Sequence, residues 1–448
     1  MVTLDGEWGL GMRLKDSPSF PRALTLGAIQ DESLVYKMGA EIARECHRMG
    51  IHVNFAPDAD IQEDPILEGH SKRSYGQSAH NVARKVVAFA KGMEDNGIVA
   101  TAKHFPGHGS TKDDSHLMLP VINKTFEQVD NYELVPFKQY IDAGLSGIMV
   151  AHLVFPAIDS DTVPSSLSNK YVDGLLKSDL GFNGLAFTDA LEMKGANTDG
   201  SVCVKGILAG DNVLLCPANP KGEIAAVVQA VKEGIISRET IDERARQMLR
   251  YKFALGITTP QHINIDNIVS EVYTSAADEL ISELYRNAIT ACPSRHKTLP
   301  LATSKRVAVV TIGAKGKGDA VFLNTCAELS NIDNYTFTPG DDINALTSNL
   351  NAMKYDAIIL AIYTGQNLRV ICDNITSRCK HVVPVFFTDY YDIHKYNYTL
   401  NNCDEVVVAF SNEKPAQVEA ARIIFGLNEA KGQLPMSIPG FFKLDSTK

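Results

Sequence analysis

The residues best suited to chemistry lie in Lys103-His104-Phe105-Pro106-Gly107-His108-Gly109, followed by Asp114-Ser115-His116 and Leu119-Pro120. Gly107 and Gly109 free the backbone to turn sharply, so a loop rich in lysine, histidine and aspartate can fold back on itself. Asp114 and His116 stand two residues apart. A carboxylate at that spacing fixes the tautomer of an imidazole and raises its basicity, which gives a proton donor whose ordinary pKa of roughly 6.5 suits work near neutrality. One histidine alone reads as a satisfied surface or core residue; the cluster reads as a reaction site.

Such a loop needs elements to hold it, and the chain supplies them up to about Leu255. Short β-branched runs at Val2–Asp5, His52–Ala56, Ile98–His104, Gly147–His152, Gly184–Asp189 and Asp211–Cys216 alternate with amphipathic stretches such as Leu34–Met49 and Asn81–Asn96. That alternation predicts βα units and a parallel sheet. Asp5, Asp60, His104, His152 and Asp189 fall at or just past strand ends, the position of active sites at the C-terminal mouth of a (β/α)8 barrel. Six strands can be counted against the barrel's eight. Further on, apolar runs at Val307–Ile312, Ala357–Ile362, Val382–Phe387 and Glu405–Phe410 are separated by helical segments, predicting a smaller doubly wound α/β layer. Gly313, Gly316 and Gly318 follow a strand in the order G-x-x-G-x-G and read as a plain loop, not a dinucleotide fingerprint.

The loop resembles the signature of family 3 of the glycoside hydrolases, in its β-N-acetylglucosaminidase (β-hexosaminidase) branch, which reads K-H-F-P-G-H-G-D-T, then D-S-H, then L-P. Asp5-Gly6-Glu7-Trp8-Gly9, Asn54-Phe55-Ala56-Pro57 with Asp60, Arg73-Ser74-Tyr75-Gly76, Met149-Val150-Ala151-His152, Phe187-Thr188-Asp189-Ala190 and Gly432-Gln433-Leu434-Pro435-Met436-Ser437 are similar to its other landmarks, in order. The resemblance implies a TIM-type barrel over 1–256, a linker with a helix over 257–305 and an α/β sandwich domain over 306–442. It also implies two βα units ahead of Val2–Asp5, so the barrel is expected to lack its start and to be poorly stable alone.

For the reaction, retention at a β-glycoside needs a carboxylate nucleophile and a proton donor for the leaving oxygen. The resemblance assigns the first role to Asp189, with capping of a following helix as the alternative, and the second to His116 backed by Asp114. Asp113 is an adjacent rival to Asp114. Because the donor is a histidine, the usual carboxylate-separation rule does not apply. Asp5, Arg73, Lys103 and His104 match glycone-contacting positions, Asp5 accepting from hydroxyls and Arg73 and Lys103 donating. His152 is a further substrate-binding candidate, with a structural role as the alternative, and Glu192 reads as a helix-cap acid, with a group at the rim of the site as the alternative. The chain departs from the family at Ser110, where Asp is usual, at Asp58, where an apolar residue is usual, and over Glu68–Lys72.

The implied activity is release of terminal N-acetylglucosamine from cell-wall fragments or related glycans, with no metal or organic cofactor. Alternatives are a β-glucosidase or xylosidase, which usually carries Trp where this chain has Ala190, a phosphorylase of the same fold, and an inactive sugar-binding fragment. Bulk properties agree with a globular enzyme: 448 residues, 45% hydrophobic and 21% charged, suit two domains. A net charge of −10 without basic runs argues against nucleic acid or an anionic membrane surface. The eight cysteines form no CxxC pair and read as reduced thiols, and no apolar run is long enough for a membrane span. Compartment and oligomeric state stay open.

Overall fold

The computed structural model describes residues 1–66, 72–111, 113–259, 262–303, 305–313, 320–337, 340–364 and 368–444. Contacts divide it into two units: Met1–Ala23 with Glu32–Ala277, and Leu24–Asp31 with Asp278–Asp445.

In the first unit five parallel strands stand in sequence order: β1 (Thr3–Leu4), β2 (Val53–Asn54), β3 (Val99–Phe105), β4 (Gly147–Val150) and β5 (Leu185–Thr188). Consecutive order with helical crossovers is the arrangement of a (β/α) barrel. Thr3 lies opposite Val53, Val53 opposite Val99, Thr101 opposite Gly147, and Gly147 opposite Leu185. Side chains from the strands meet in a core of Val53, Phe55, Val99, Met149, Leu185 and Phe187, and the Phe55 and Phe187 rings pack edge to face at 5.4 Å. Two crossover helices, Glu32–Arg48 and Ala79–Glu94, touch backbone to backbone. A Cβ on Gly39 would sit 2.2 Å from the Phe89 carbonyl oxygen, and one on Gly92 would sit 2.1 Å from that of Tyr36.

The run Asp211–Cys216 is not a full strand. It follows β5 through one bridge, Val213 to Phe187, because the Ala186 N–H, a ladder donor, is bonded by the Asn212 side-chain oxygen at 2.9 Å. Cys216, at φ 44°, then turns the chain away.

The second unit holds a six-stranded sheet of β6 (Thr290–Pro293), β7 (Val307–Ile312), β8 (Ile332–Phe337), β9 (Ala357–Ile362), β10 (Val382–Phe386) and β11 (Glu405–Val408), in the order β6-β11-β10-β9-β7-β8. All neighbours are parallel except β6 against β11. Leaving β6 aside, this is the doubly wound order 2-1-3-4-5. Residues alternate between two cores, Ala308, Val310 and Ile312 on one face and Val307 and Val309 on the other. Strands β6 and β8, both at sheet edges, were not expected. One ends in Pro293 and the other reads Ile-Asp-Asn-Tyr-Thr-Phe, each too polar or broken to stand out. Of the glycine-loop reading, Gly313 is described, whereas Gly316 and Gly318 lie outside the described residues, as do positions 68–71. No helix among the described residues is long and apolar enough to cross a membrane.

Candidate active site

β1 ends directly before Asp5, and the turn after it brings Glu7 and Arg13 back beside that residue. Asp5 Oδ2 accepts from Arg13 Nη2 at 2.5 Å and Asp5 Oδ1 from Lys103 Nζ at 3.0 Å. Lys103, near the end of β3 and 2% exposed, also lies 3.0 Å from Glu7 Oε1. Arg73 grips Glu7 from its side edge, with Nε 3.0 Å from both carboxylate oxygens and Nη2 2.6 Å from Oε1. Burial alone would lift the Glu7 carboxyl, but Lys103 and Arg73 outweigh it and hold its pKa at about 2. Asp5 is likewise held below the usual carboxylate range against burial, by Lys103 and Arg13. Desolvation acts to lower Lys103, yet Glu7 and Asp5 keep its ammonium pKa raised.

His104 sits beside Lys103, with a cis peptide between them. Asp60 bonds His104 Nδ1 at 2.7 Å through one oxygen, and through the other accepts the backbone N–H groups of His104 (3.2 Å) and His108 (2.7 Å). The fully buried Asp60 is therefore the clasp that shapes the glycine loop. Burial works against a charged His104, but Asp60 raises its pKa all the same. Asp58, Asp60 and His104 offer ligand-type atoms within 4.8 Å of one another. The donor set does not fit a cation: Asp60 is bonded to N–H groups and Arg73 Nε stands 3.7 Å from Asp58.

The loop turns tightly because nothing larger than glycine fits. A Cβ on Gly109 would lie 1.9 Å from the Ile61 carbonyl oxygen. Ser110, the departure from the family pattern, donates to Glu133 Oε1 at 2.6 Å, and Lys124 Nζ bonds both Ser110 and Glu133. A buried acid from a neighbouring segment is thus joined to the turn at the position where the family carries its own.

Asp189 follows β5. Its backbone N–H donates to Val150 at 2.9 Å and its Oδ1 accepts the Ala190 N–H at 2.8 Å. Burial pushes its carboxyl up, but His104, His152, the Ala190 N–H and Lys103 together lower it, so the group is ionised at neutral pH. No helix begins directly after it. Residues 191–193 form a turn, which removes the capping alternative for Asp189 and the helix-cap reading of Glu192. His152 is fully buried between Ser166 Oγ (Nδ1, 2.7 Å) and the Ala190 carbonyl (Nε2, 3.1 Å), and desolvation lowers its pKa. Bonded on both nitrogens, His152 supports the Asp189 turn.

Asp114 and His116 form the expected pair. Asp114 Oδ1 accepts from the His116 backbone N–H (2.9 Å) and meets His116 Nδ1 (2.7 Å), while the side chains are 50% and 67% exposed. Between them Ser115 is buried. Its hydroxyl meets His108 Nε2 at 3.1 Å and its carbonyl accepts the Gly195 N–H at 3.0 Å. The dyad therefore stands outward on a segment pinned from inside, while Asp5, Arg73, Lys103, His104, His152 and Asp189 gather below. Sequence reasoning missed Glu7, Arg13 and Asp58. Glu7 carried a signal, an acid two residues after Asp5, whereas Arg13 lies in an irregular turn with none.

Carboxylates at the strand ends of a parallel sheet, braced by buried cations around one ionised aspartate, define a barrel enzyme able to grip hydroxyl groups and attack an electrophilic carbon. Residues 1–251 match the glycosyl hydrolase family 3 N terminal domain, and the chain belongs to that family of glycoside hydrolases. It is 30% identical over 290 residues to a beta-hexosaminidase of Nitrosomonas eutropha, spanning 60% of this chain and 82% of the relative. A beta-hexosaminidase of Idiomarina loihiensis is 33% identical over 267 residues, 57% of this chain and 78% of the relative. Among solved structures, a glycoside hydrolase family 3 beta-N-acetylglucosaminidase from Paenibacillus sp. str. FPU-7 superposes with a TM-score of 0.78 at 25% identity, covering 99% of this chain and 87% of that one.

Proposed function

We propose that this glycoside hydrolase is a retaining, exo-acting β-N-acetylglucosaminidase that removes terminal N-acetylglucosamine from glycans, cell-wall fragments among them. Two observations support the reading: an ionised Asp189 following β5, and a histidine on the loop after β3, His116, whose Nδ1 is bonded to Asp114 at 2.7 Å. With the proton fixed on Nδ1, the Nε2 of the cationic ring can donate its proton to the glycosidic oxygen as Asp189 attacks the anomeric carbon. The carbon–oxygen bond breaks, the aglycone leaves as an alcohol, and a glycosyl-aspartate ester remains. Neutral His116 then takes a proton from water as its oxygen attacks the same carbon, which frees Asp189 and returns the ring to its starting charge.

Glycone binding falls to the charged groups below. Asp5 accepts from sugar hydroxyls. Lys103 donates, and Arg73 offers its Nη1 end, which makes no hydrogen bond among the described residues. His104, clasped by Asp60, is a donor beside Asp189. The relatives' names support the acetamido sugar as substrate.

The test is nitrophenol release from the β-N-acetylglucosaminide and the β-glucoside in parallel, in phosphate and in a neutral buffer. Turnover of the acetamido sugar in both buffers is expected, with Asp189→Ala losing roughly 10⁴-fold or more. Turnover only with phosphate would make the chain a phosphorylase, and preference for the glucoside would overturn the substrate.

A further inference from the structure

Asp58 stands where the resemblance leads one to expect an apolar residue, and the reaction steps proposed for Asp189 and His116 leave it unused. It follows cis Pro57, and its backbone is strapped to the catalytic strand by a bridge to Lys103 and by the Lys103 N–H to Pro57 carbonyl bond at 3.2 Å. The side chain is 2% exposed. Asp58 Oδ1 accepts the Asp60 N–H at 2.9 Å, whereas Oδ2 is buried and makes no hydrogen bond among the described residues, with Arg73 Nε at 3.7 Å.

Every charged group around it has a stronger engagement elsewhere. Glu7 holds both Lys103 and Arg73 at 2.6–3.0 Å, and Asp60 accepts three N–H groups while facing His104. Tyr75, also buried, adds a neutral phenol. Asp60 and Glu7 therefore press on Asp58 with like charge while Arg73 and His104 pull the other way from longer range, and burial opposes its ionisation. Of the three carboxyls, Asp58 has the weakest set of partners, so its charged form is the least supported.

We propose, resting on the hydrolase reading above, that Asp58 is a positioning residue for glycone recognition: neutral, it leaves Arg73 aligned on Glu7 with Nη1 turned to the sugar, and ionised, it competes for the Arg73 Nε edge and weakens that grip. Burial and Asp60 raise the Asp58 pKa to about 7, against the pull of Arg73 and His104, so the change falls in the working range. Raised pKa means that the neutral form dominates on the acid side and is lost as pH climbs through about 7. KM should therefore rise with pH while kcat, set by Asp189 and His116, follows its own profile.

The experiment is the pH dependence of KM and kcat on the nitrophenyl β-N-acetylglucosaminide from about pH 5.5 to 8.5 for wild type and Asp58→Asn. Wild-type KM is expected to rise roughly three- to tenfold across that range, and Asp58→Asn to flatten it with the shape of the kcat profile unchanged. A KM limb that persists in Asp58→Asn overturns the proposal; so does a uniform loss at all pH, the mark of a merely structural residue. If Asp58→Asn does not fold, Asp58→Val, with the family's apolar type, takes its place under the same criteria. Should the wild type turn over no acetamido sugar, the functional reading fails but Asp58 is still judged. A ¹³C carboxyl resonance titrating near neutrality and missing in the variant sustains its role, and absence of that resonance refutes it.

Discussion

At the scale of single residues, the division of labour is by burial. Asp189 is ionised in a setting that would otherwise neutralise it, because two imidazoles, an N–H and a lysine face it, whereas His116 and Asp114 stand half exposed. An exposed donor contributes through proton transfer alone and not through the low-dielectric field that braces Asp189. His116→Ala should therefore lower kcat roughly 10²–10⁴-fold on alkyl or sugar aglycones. On nitrophenyl glycosides, whose leaving group departs as an anion without help, glycosylation should fall far less. Initial rates across a series of leaving groups would decide it, and equal losses at both ends of the series would remove His116 from the donor role. The residues that meet here were largely legible because polar groups fall at strand ends, as Asp5, His104 and Asp189 do, and because Lys103 and His104 belong to one polar cluster within a recognisable motif. Asp58 was not, and Glu7 showed only as an acid two residues after Asp5, since the partner of both is Arg73, which comes from 66 residues beyond Glu7, and no local pattern encodes that approach.

At the scale of elements, the loop after β3 is shaped less by its own hydrogen bonds than by what it is pressed against. Gly109 abuts the backbone at Ile61, one residue past the Asp60 clasp, so replacing it moves the loop and the clasp together. Gly109→Ala should destabilise the first unit by about 1–3 kcal/mol, as overpacking does, and should raise KM as well because His104 and Lys103 shift. Gly181→Ala, at φ 74° but with open space around the added carbon, serves as the control, with stability loss and unchanged KM. Equal KM for both variants would show that the clasp tolerates the displacement. Strand legibility followed the same logic of environment. β3, β4, β5 and the four central strands of the second sheet are buried along their whole length and read as largely apolar runs, broken in β3 by Lys103 and His104 at its site end. β6 and β8 are edges and carry polar residues. The Asp211–Cys216 run looked like a strand by composition, but pairing depends on which donors are left, and Asn212 takes one.

At the scale of the whole molecule, the first unit buries acids of two opposite kinds, and their balance sets its response to pH. Glu7, held at about 2 against an ordinary 4.5, adds stability that is present above about pH 4.5 and is lost as pH falls toward 2. Glu45 is fully buried, and burial together with Glu41 lifts it to about 8 against the pull of Arg44 and the Leu10 backbone. Burial lifts Glu94 to about 7 despite its bonds to Ser146, and Asp58 stands at about 7. Asp211, also buried, is raised by desolvation against the pull of Lys177 and Arg244. For these four the native state keeps protons that the unfolded chain has released, so between about pH 4.5 and 8 stability falls as pH rises. The two trends meet on the acid side of neutrality. Melting of the first unit should peak near pH 5 and decline by roughly 10 °C or more by pH 8, given about 2–4 °C per kcal/mol for a domain of this size. Trp8, the only tryptophan in the chain, reports on that unit, so its fluorescence can follow the transition separately from the second. Glu45→Gln removes one of the retained protons without changing side-chain shape, and the slope above pH 5 should flatten in that variant. A melting temperature that climbs from pH 5 to pH 8 would mean that the buried acids are solvated in the folded state, and with that the protonated Asp58 beside Arg73 would lose its physical basis.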